Sequence, residues 1–198
     1  MDVTPIKRLR LKAAYDDSQQ FQKITCDSDF VQELFEWTNR GLVFIHDDAE
    51  AGYSRFVLDT NGLGAPKTLR VENGGHKDLF LWHIDGILYK KDSKCDCAIL
   101  TDNSLSFIEF KSNAANNSKK AIIENYEKAM SQLRLTYDDV SCRCQNVGVD
   151  LKATTKIEAY AVFNRTVPSH NAYQKKLAAQ FQNVTKGIQL YFKNSTEV

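Results

Sequence analysis

The chain has 198 residues, a length that favours one domain with a core large enough to fold without a metal or a disulfide. Hydrophobic residues make up 42% and charged residues 26%, with only 3 Pro and 9 Gly, which excludes a disordered, collagen-like or linker-rich chain. The 26 Lys and Arg nearly balance the 25 Asp and Glu, so the net charge of +1 excludes a histone-like polycation but leaves room for a local basic patch that neutralises phosphates.

No apolar run approaches the roughly 18–20 residues of a membrane span, and no membrane partner is expected. The first residues carry charges where a signal peptide needs an apolar stretch. The 5 cysteines, an odd number, suit a reduced compartment, so a cytoplasmic protein is expected.

In chain order, Ile6 to Ala14 mixes apolar residues with Lys7, Arg8, Arg10 and Lys12 and reads as an edge strand or a short arm. A helix is predicted from about Phe30 to Asn39, capped by Asp27, Ser28 or Asp29, with Phe30, Val31, Leu34, Phe35 and Trp37 as its apolar stripe. Residues 42 to 111 read as strands: Leu42–Ile45, Ser54–Asp59, Thr68–Glu72, Leu79–Tyr89, Cys95–Leu100 and Leu105–Lys111. Turn signals separate them at Asn61-Gly62, Asn73-Gly74-Gly75, Lys91-Asp92-Ser93 and Asp102-Asn103, and such short connections imply antiparallel hairpins. From Ser118 the period becomes helical, through Ile122, Tyr126, Ala129, Met130, Leu133 and Tyr137. A strand at Lys156–Asn164 follows, with Ile157, Ala159, Ala161 and Phe163 on one face, then a helix at Ala172–Val184 and a strand at Gly187–Lys193. This order predicts an α/β (α+β) fold: one mixed central sheet with an antiparallel meander, flanked by helices. A single domain over 1–198 is expected, with an N-terminal arm and helix at 1–41, a sheet core at 42–164 and a C-terminal helix and strand at 165–198.

The most informative stretch runs from Cys95-Asp96-Cys97 to Phe107-Ile108-Glu109-Phe110-Lys111. Alternate side chains on a strand share a face, so Glu109 and Lys111 point one way while Ile108 and Phe110 enter an apolar layer. The same rule puts Cys95 and Cys97 together on the face opposite Asp96. If the two strands form a hairpin, Asp96 comes near Glu109. Two carboxylates and a lysine beside a sheet can hold Mg²⁺ or Mn²⁺ with water positions left open, and the lysine can orient or deprotonate a water.

With Asp96 followed by Glu109-x-Lys111, a helix and a further strand, the chain resembles the PD-(D/E)xK nuclease superfamily over roughly residues 78–164. The family's usual Pro before the Asp is replaced by Cys95. The resemblance implies a restriction-endonuclease-like fold and metal-dependent hydrolysis of phosphodiester bonds, in DNA first, with a role in defence, restriction or repair. Asp96 and Glu109 would bind Mg²⁺ or Mn²⁺, and Lys111 would position the attacking water. Some branches add Gln-x-x-x-Tyr on the next helix; here Gln132 is carried over alone, because Tyr137 is one residue too far. Many members take a third acid from an early helix, and of Glu33 and Glu36 the helical wheel favours Glu33, which borders the apolar stripe. A homodimer is compatible with the resemblance.

For the basic residues Lys7, Arg8, Arg10, Lys12, Lys119 and Lys120, the plain reading is a solvated face and the functional one is phosphate contact. Cys95-x-Cys97 and Cys142-x-Cys144 lack the usual Cys-x-x-Cys zinc spacing and read as small buried thiols. His83 and Asp85 share a strand face; such a pair can bind metal or move protons, but reads first as a satisfied hydrogen bond near a strand end, on a strand that can come near the site, while His46-Asp47-Asp48 reads as a loop. The rival of a different class is a nuclease-like domain without activity that serves as a nucleic-acid-binding or complex-forming subunit.

Overall fold

A computed structural model describes residues 3–16, 26–61, 68–89, 93–111, 118–163 and 171–198; the predicted turns at Asn61-Gly62 and Lys91-Asp92-Ser93 each fall partly outside them. The N-terminal stretch is not a strand. It forms two short helices, α1 (Thr4–Arg8) and α2 (Leu11–Ala14). Pro5 opens the first, and Arg10, at φ 51°, turns the chain between them. Ile6, Leu9, Leu11, Ala14 and Tyr15 are all buried, a spacing that two helical turns can bring to one side and a single strand cannot.

The next helix, α3 (Asp27–Leu34), stops short of the predicted Asn39, because Phe35 is extended and opens strand β1 (Phe35–Thr38). Four residues of pairing with β5 (Leu79–His83), including Phe35 opposite Trp82, outweigh the helical pattern. The Phe35 and Trp82 rings stack at 5.7 Å, and Tyr15 meets the same indole edge-on at 5.7 Å. Burial of these aromatics is worth about 2–3 kcal/mol per ring, which is enough to decide a four-residue segment. Trp37, placed in the helical stripe by sequence, is exposed instead.

The remaining strands are β2 (Leu42–Asp48), β3 (Tyr53–Val57), β4 (Thr68–Glu72), β6 (Cys97–Leu100), β7 (Ser104–Lys111), β8 (Lys156–Phe163), β9 (Gln189–Tyr191) and β10 (Ser195–Glu197); the helices are α4 (Lys119–Asn146), α5 (Leu151–Thr154) and α6 (Ala172–Val184). They form a mixed α+β fold, but with two sheets rather than one. The six-stranded sheet has the order β1-β5-β6-β7-β8-β9, antiparallel as far as β7 and parallel from there. The four-stranded sheet has the order β10-β4-β2-β3, in which β10, too short to be legible in sequence, runs parallel to β4. The expected run of successive antiparallel pairs therefore holds for β2–β3, β5–β6 and β6–β7 but fails at β4, which pairs back onto β2.

The sheets meet face to face. Val43, Ile45, Leu69 and Val71 of the smaller sheet pack on Leu81, Ile99, Ile108, Phe110, Tyr160 and Val162 of the larger. The other face of the larger sheet is covered by helices, with Trp82, Phe107, Ala159, Ala161 and Phe163 packed against Tyr126, Leu133, Leu177 and Phe181. Strands covered on both faces read as unbroken apolar runs, which is why Leu79–His83 and Cys97–Leu100 show no alternation. Helix α4 is the crossover from β7 to the parallel β8; Ser118 caps its start by accepting from the Ala121 amide. A reciprocal capping box between Asn171 and Gln174 opens α6.

Candidate active site

The β6–β7 hairpin builds the centre of the site. Its ladder runs from Leu100↔Leu105 to Cys97↔Ile108 and then stops. Beyond that point the Asp96 side chain takes over, its Oδ2 accepting from the Phe110 amide at 2.5 Å. Phe110 lies between Glu109 and Lys111, so this bond ties the Asp to the Glu-x-Lys segment. Ile108 and Phe110 enter the layer between the sheets, as their alternation requires. Glu109 and Lys111 face α4. There the Lys111 ammonium donates to Glu109 Oε1 and, at 2.7 Å, to Gln132 Oε1. Gln132 Nε2 in turn donates to the Lys94 carbonyl at 2.9 Å. Asp96, Glu109, Lys111 and Gln132 are thus brought together in one place.

A strand irregularity sets the geometry of Asp96. The amides of Ile84 and Asp85 both donate to the Asp96 carbonyl, at 3.3 and 3.1 Å, so two residues oppose one. This bulge ends β5 at His83 instead of Tyr89, and a turn through Gly86, at φ 81°, follows. The two cysteines that flank Asp96 are buried apart: Cys95 enters the helix-side core and Cys97 the layer between the sheets. The expectation that both thiols share one face is therefore corrected.

The electrostatics are those of crowded anions. Burial pushes the Asp96 carboxyl up to about 7, with the charges of Asp47 and Asp85 adding to the rise and the Phe110 amide and Lys111 opposing it. Glu109, 1% exposed, is raised well above the usual carboxylate range, first by burial and then by Asp96, with Lys111 pulling the other way. Its Oε2 is buried without a hydrogen-bond partner. Asp85, at the exposed rim, is raised by desolvation and by Asp47.

The sequence marks neither Asp47 nor Asp85 as a site residue, although it allows the His83–Asp85 strand to lie near the site. The Asp85-Gly86 dipeptide is a strand-ending turn signal that would have put Asp85 at a strand tip. Nothing local marks Asp47. It lies on β2, whose strand includes His46 and Asp48, and only the packing of the two sheets carries it toward Asp96.

The other expected residues lie elsewhere. Glu33 is exposed on α3, whereas the acids whose charges act on Asp96 and Glu109 include Asp47 and Asp85. Glu36, half-buried on β1, accepts from the Phe56 amide at 2.8 Å and sits 3.8 Å from His83 Nε2. The acid beside His83 is thus Glu36, but burial pushes the imidazole down to about 4, so the contact is not an ion pair at neutral pH. Lys7 and Arg8 are exposed on α1, while the Arg10 guanidinium donates to the Val147 carbonyl and Lys12 pairs with Asp16 at 3.5 Å. Lys119 and Lys120 are exposed on the first turn of α4, with Lys120 3.8 Å from Glu124. Cys144 is buried and donates to the Leu9 carbonyl at 3.7 Å, while its neighbour in the motif, Cys142, is exposed.

Among the described residues, no three His, Cys, Asp or Glu side chains gather closely enough to enclose a metal ion by themselves. The residues present nonetheless fit a hard divalent cation. Mg²⁺ keeps several waters and asks the protein for only one or two carboxylates. Asp96 and the unpartnered Glu109 Oε2 supply two, in a cluster short of positive charge. Among the described residues no helix is long and apolar enough to cross a membrane. No known family model matches the chain, nor does any curated protein or solved structure.

Proposed function

We propose that the protein is a metal-dependent nuclease that hydrolyses phosphodiester bonds, with DNA as its substrate. The reading rests on one observation: two carboxylates and a lysine, Asp96, Glu109 and Lys111, converge where a hairpin meets a helix, with Gln132 against the lysine. Asp96 and Glu109 would hold Mg²⁺ or Mn²⁺, with Asp85 and Asp47 as the further acids on the same side. The cation, when bound, would polarise the phosphate and lower the pKa of a coordinated water. Lys111 would orient the attacking water and offset charge on the phosphate, and Gln132 would fix the ammonium for that task. Exposed Lys119 and Lys120, on the helix that follows Lys111, would contact the substrate backbone.

The test is cleavage of supercoiled, linear and single-stranded DNA with Mg²⁺, Mn²⁺ or EDTA, beside Lys111→Ala. Metal-dependent cutting that disappears in the variant supports the proposal. Cutting that survives in Lys111→Ala or in EDTA overturns it, and DNA retention without any cutting would favour a binding subunit.

A further inference from the structure

Thr136 is the one fully buried polar side chain in the middle of α4, and its bonds lead to the site without touching the charged groups. Its hydroxyl donates to the Gln132 carbonyl one turn earlier, at 2.8 Å, and accepts from the Cys95 amide at 2.8 Å. The first bond is the back-bond that Thr makes routinely inside helices. The second is not routine, because it anchors the residue next to Asp96 to a helix. Gln132 repeats the anchor one residue earlier, at the Lys94 carbonyl.

A closed circuit of hydrogen bonds results. It runs from α4 through Thr136 to Cys95, then to Asp96 and by its carboxylate to the Phe110 amide. From Phe110 it passes along the chain to Lys111 and back to α4 at Gln132. Asp96 lies just before the ladder of β6, where the Ile84 and Asp85 amides hold its carbonyl and the bond from Cys95 to Thr136 holds the chain on its N-terminal side. We infer that Thr136 is a positioning residue: by clamping the Cys95 amide to α4, it fixes Asp96 relative to Lys111, which the same helical turn holds through Gln132. The inference rests on the nuclease reading of the site. Valine matches threonine in shape but can neither accept from Cys95 nor donate to Gln132; serine keeps both bonds.

The test compares the full-length protein with Thr136→Val and Thr136→Ser, well below their melting temperatures. Three quantities are read: hydrogen exchange at the Cys95 amide, Mn²⁺ affinity, and kcat and KM for metal-dependent cleavage of plasmid DNA. In Thr136→Val, Cys95 exchange is expected to accelerate and kcat to fall about 10-fold or more, with Mn²⁺ affinity weakened and the KM for DNA within about two-fold of wild type. Thr136→Ser is expected to recover kcat and Mn²⁺ affinity to within about two-fold. Unchanged kcat and Mn²⁺ affinity in Thr136→Val overturn the inference while the nuclease reading stands. So does a Ser variant as impaired as the Val variant, since space rather than the hydroxyl would then matter. If Thr136→Val does not fold, Thr136→Ala is read by the same criteria. Wild-type protein that neither binds Mn²⁺ nor cuts overturns both readings, a result distinct from failure of Thr136 alone.

Discussion

Asp96→Asn is expected to make the metal-free protein more stable at alkaline pH, not less. The carboxyl is raised from an ordinary 3.8 to about 7 by burial first and by neighbouring acids next. A raised carboxylate costs stability in the pH range where the unfolded chain ionises it and the folded chain resists. Below about pH 3.8 both states hold the proton and the cost vanishes. Between 3.8 and 7 it grows with pH, and above 7 it levels off at about 4 kcal/mol, taken at 1.36 kcal/mol per pH unit. Asparagine keeps an oxygen to accept from the Phe110 amide, so the variant removes the charge and spares the bond. Urea denaturation in EDTA at pH 4, 5.5 and 8 should therefore show the advantage of the variant rising from near zero to about 2 and then about 4 kcal/mol. If the proposed cation site is real, millimolar Mg²⁺ or Mn²⁺ should stabilise wild type more than the variant, which keeps Glu109 but has lost one of the two carboxylates. A variant less stable than wild type at pH 8, or a difference that does not depend on pH, would refute the picture of an anion cluster held short of charge.

Lys111→Met strips the buried Glu109 of its ion-pair partner and should cost about 3–5 kcal/mol at pH 8, with most of the loss recovered by adding Glu109→Gln; thermal melts of the single and double variants check this. Burial holds His83 down at about 4 from 6.5, so its contribution is complete above 6.5 and is lost as the pH falls through 4. His83→Phe should accordingly flatten the acid limb of stability by about 3 kcal/mol, read from denaturation between pH 7.5 and 4. Gly86→Ala would place a Cβ 2.3 Å from the Gly52 carbonyl oxygen at a φ of +81°, where the backbone cannot give way cheaply. A loss of about 2–4 kcal/mol and weaker cleavage are expected, the latter because this contact lies next to Asp85.

How legible the molecule was in its sequence depended on how local the deciding physics is. Ala172–Val184 forms as its pattern predicts, because its stripe lies within its own residues and its cap, Asn171, directly before them. The same holds for the alternation of β7, which put Glu109 and Lys111 on one face. Phe35–Thr38 was read as helix because the force that makes it a strand comes from Trp82, far along the chain. The second sheet was invisible for a similar reason: β4 leaves its sequence neighbours to pair with β2 and β10. In the site, Asp96, Glu109 and Lys111 were readable from spacing on adjacent strands, and Gln132 from a resemblance. Asp47 was not, since it reaches the cluster only through the packing of the sheets. Glu33 was favoured on a helical wheel that treats α3 as continuing beyond Leu34, where the helix in fact ends.

The opposed burial of Cys95 and Cys97 has a chemical consequence for handling the protein. With the two thiols in different apolar layers on either side of the sheet, their sulfurs do not reach each other although one residue separates them. Both thiols are raised well above their ordinary range by burial, and Cys144 is raised to about 12 for the same reason, so all three are poor nucleophiles. Cys26 and Cys142 are exposed. A maleimide dye or spin label added at neutral pH will therefore find those two positions and spare the residues around the carboxylates. The native chain already carries attachment points for watching its site without altering it.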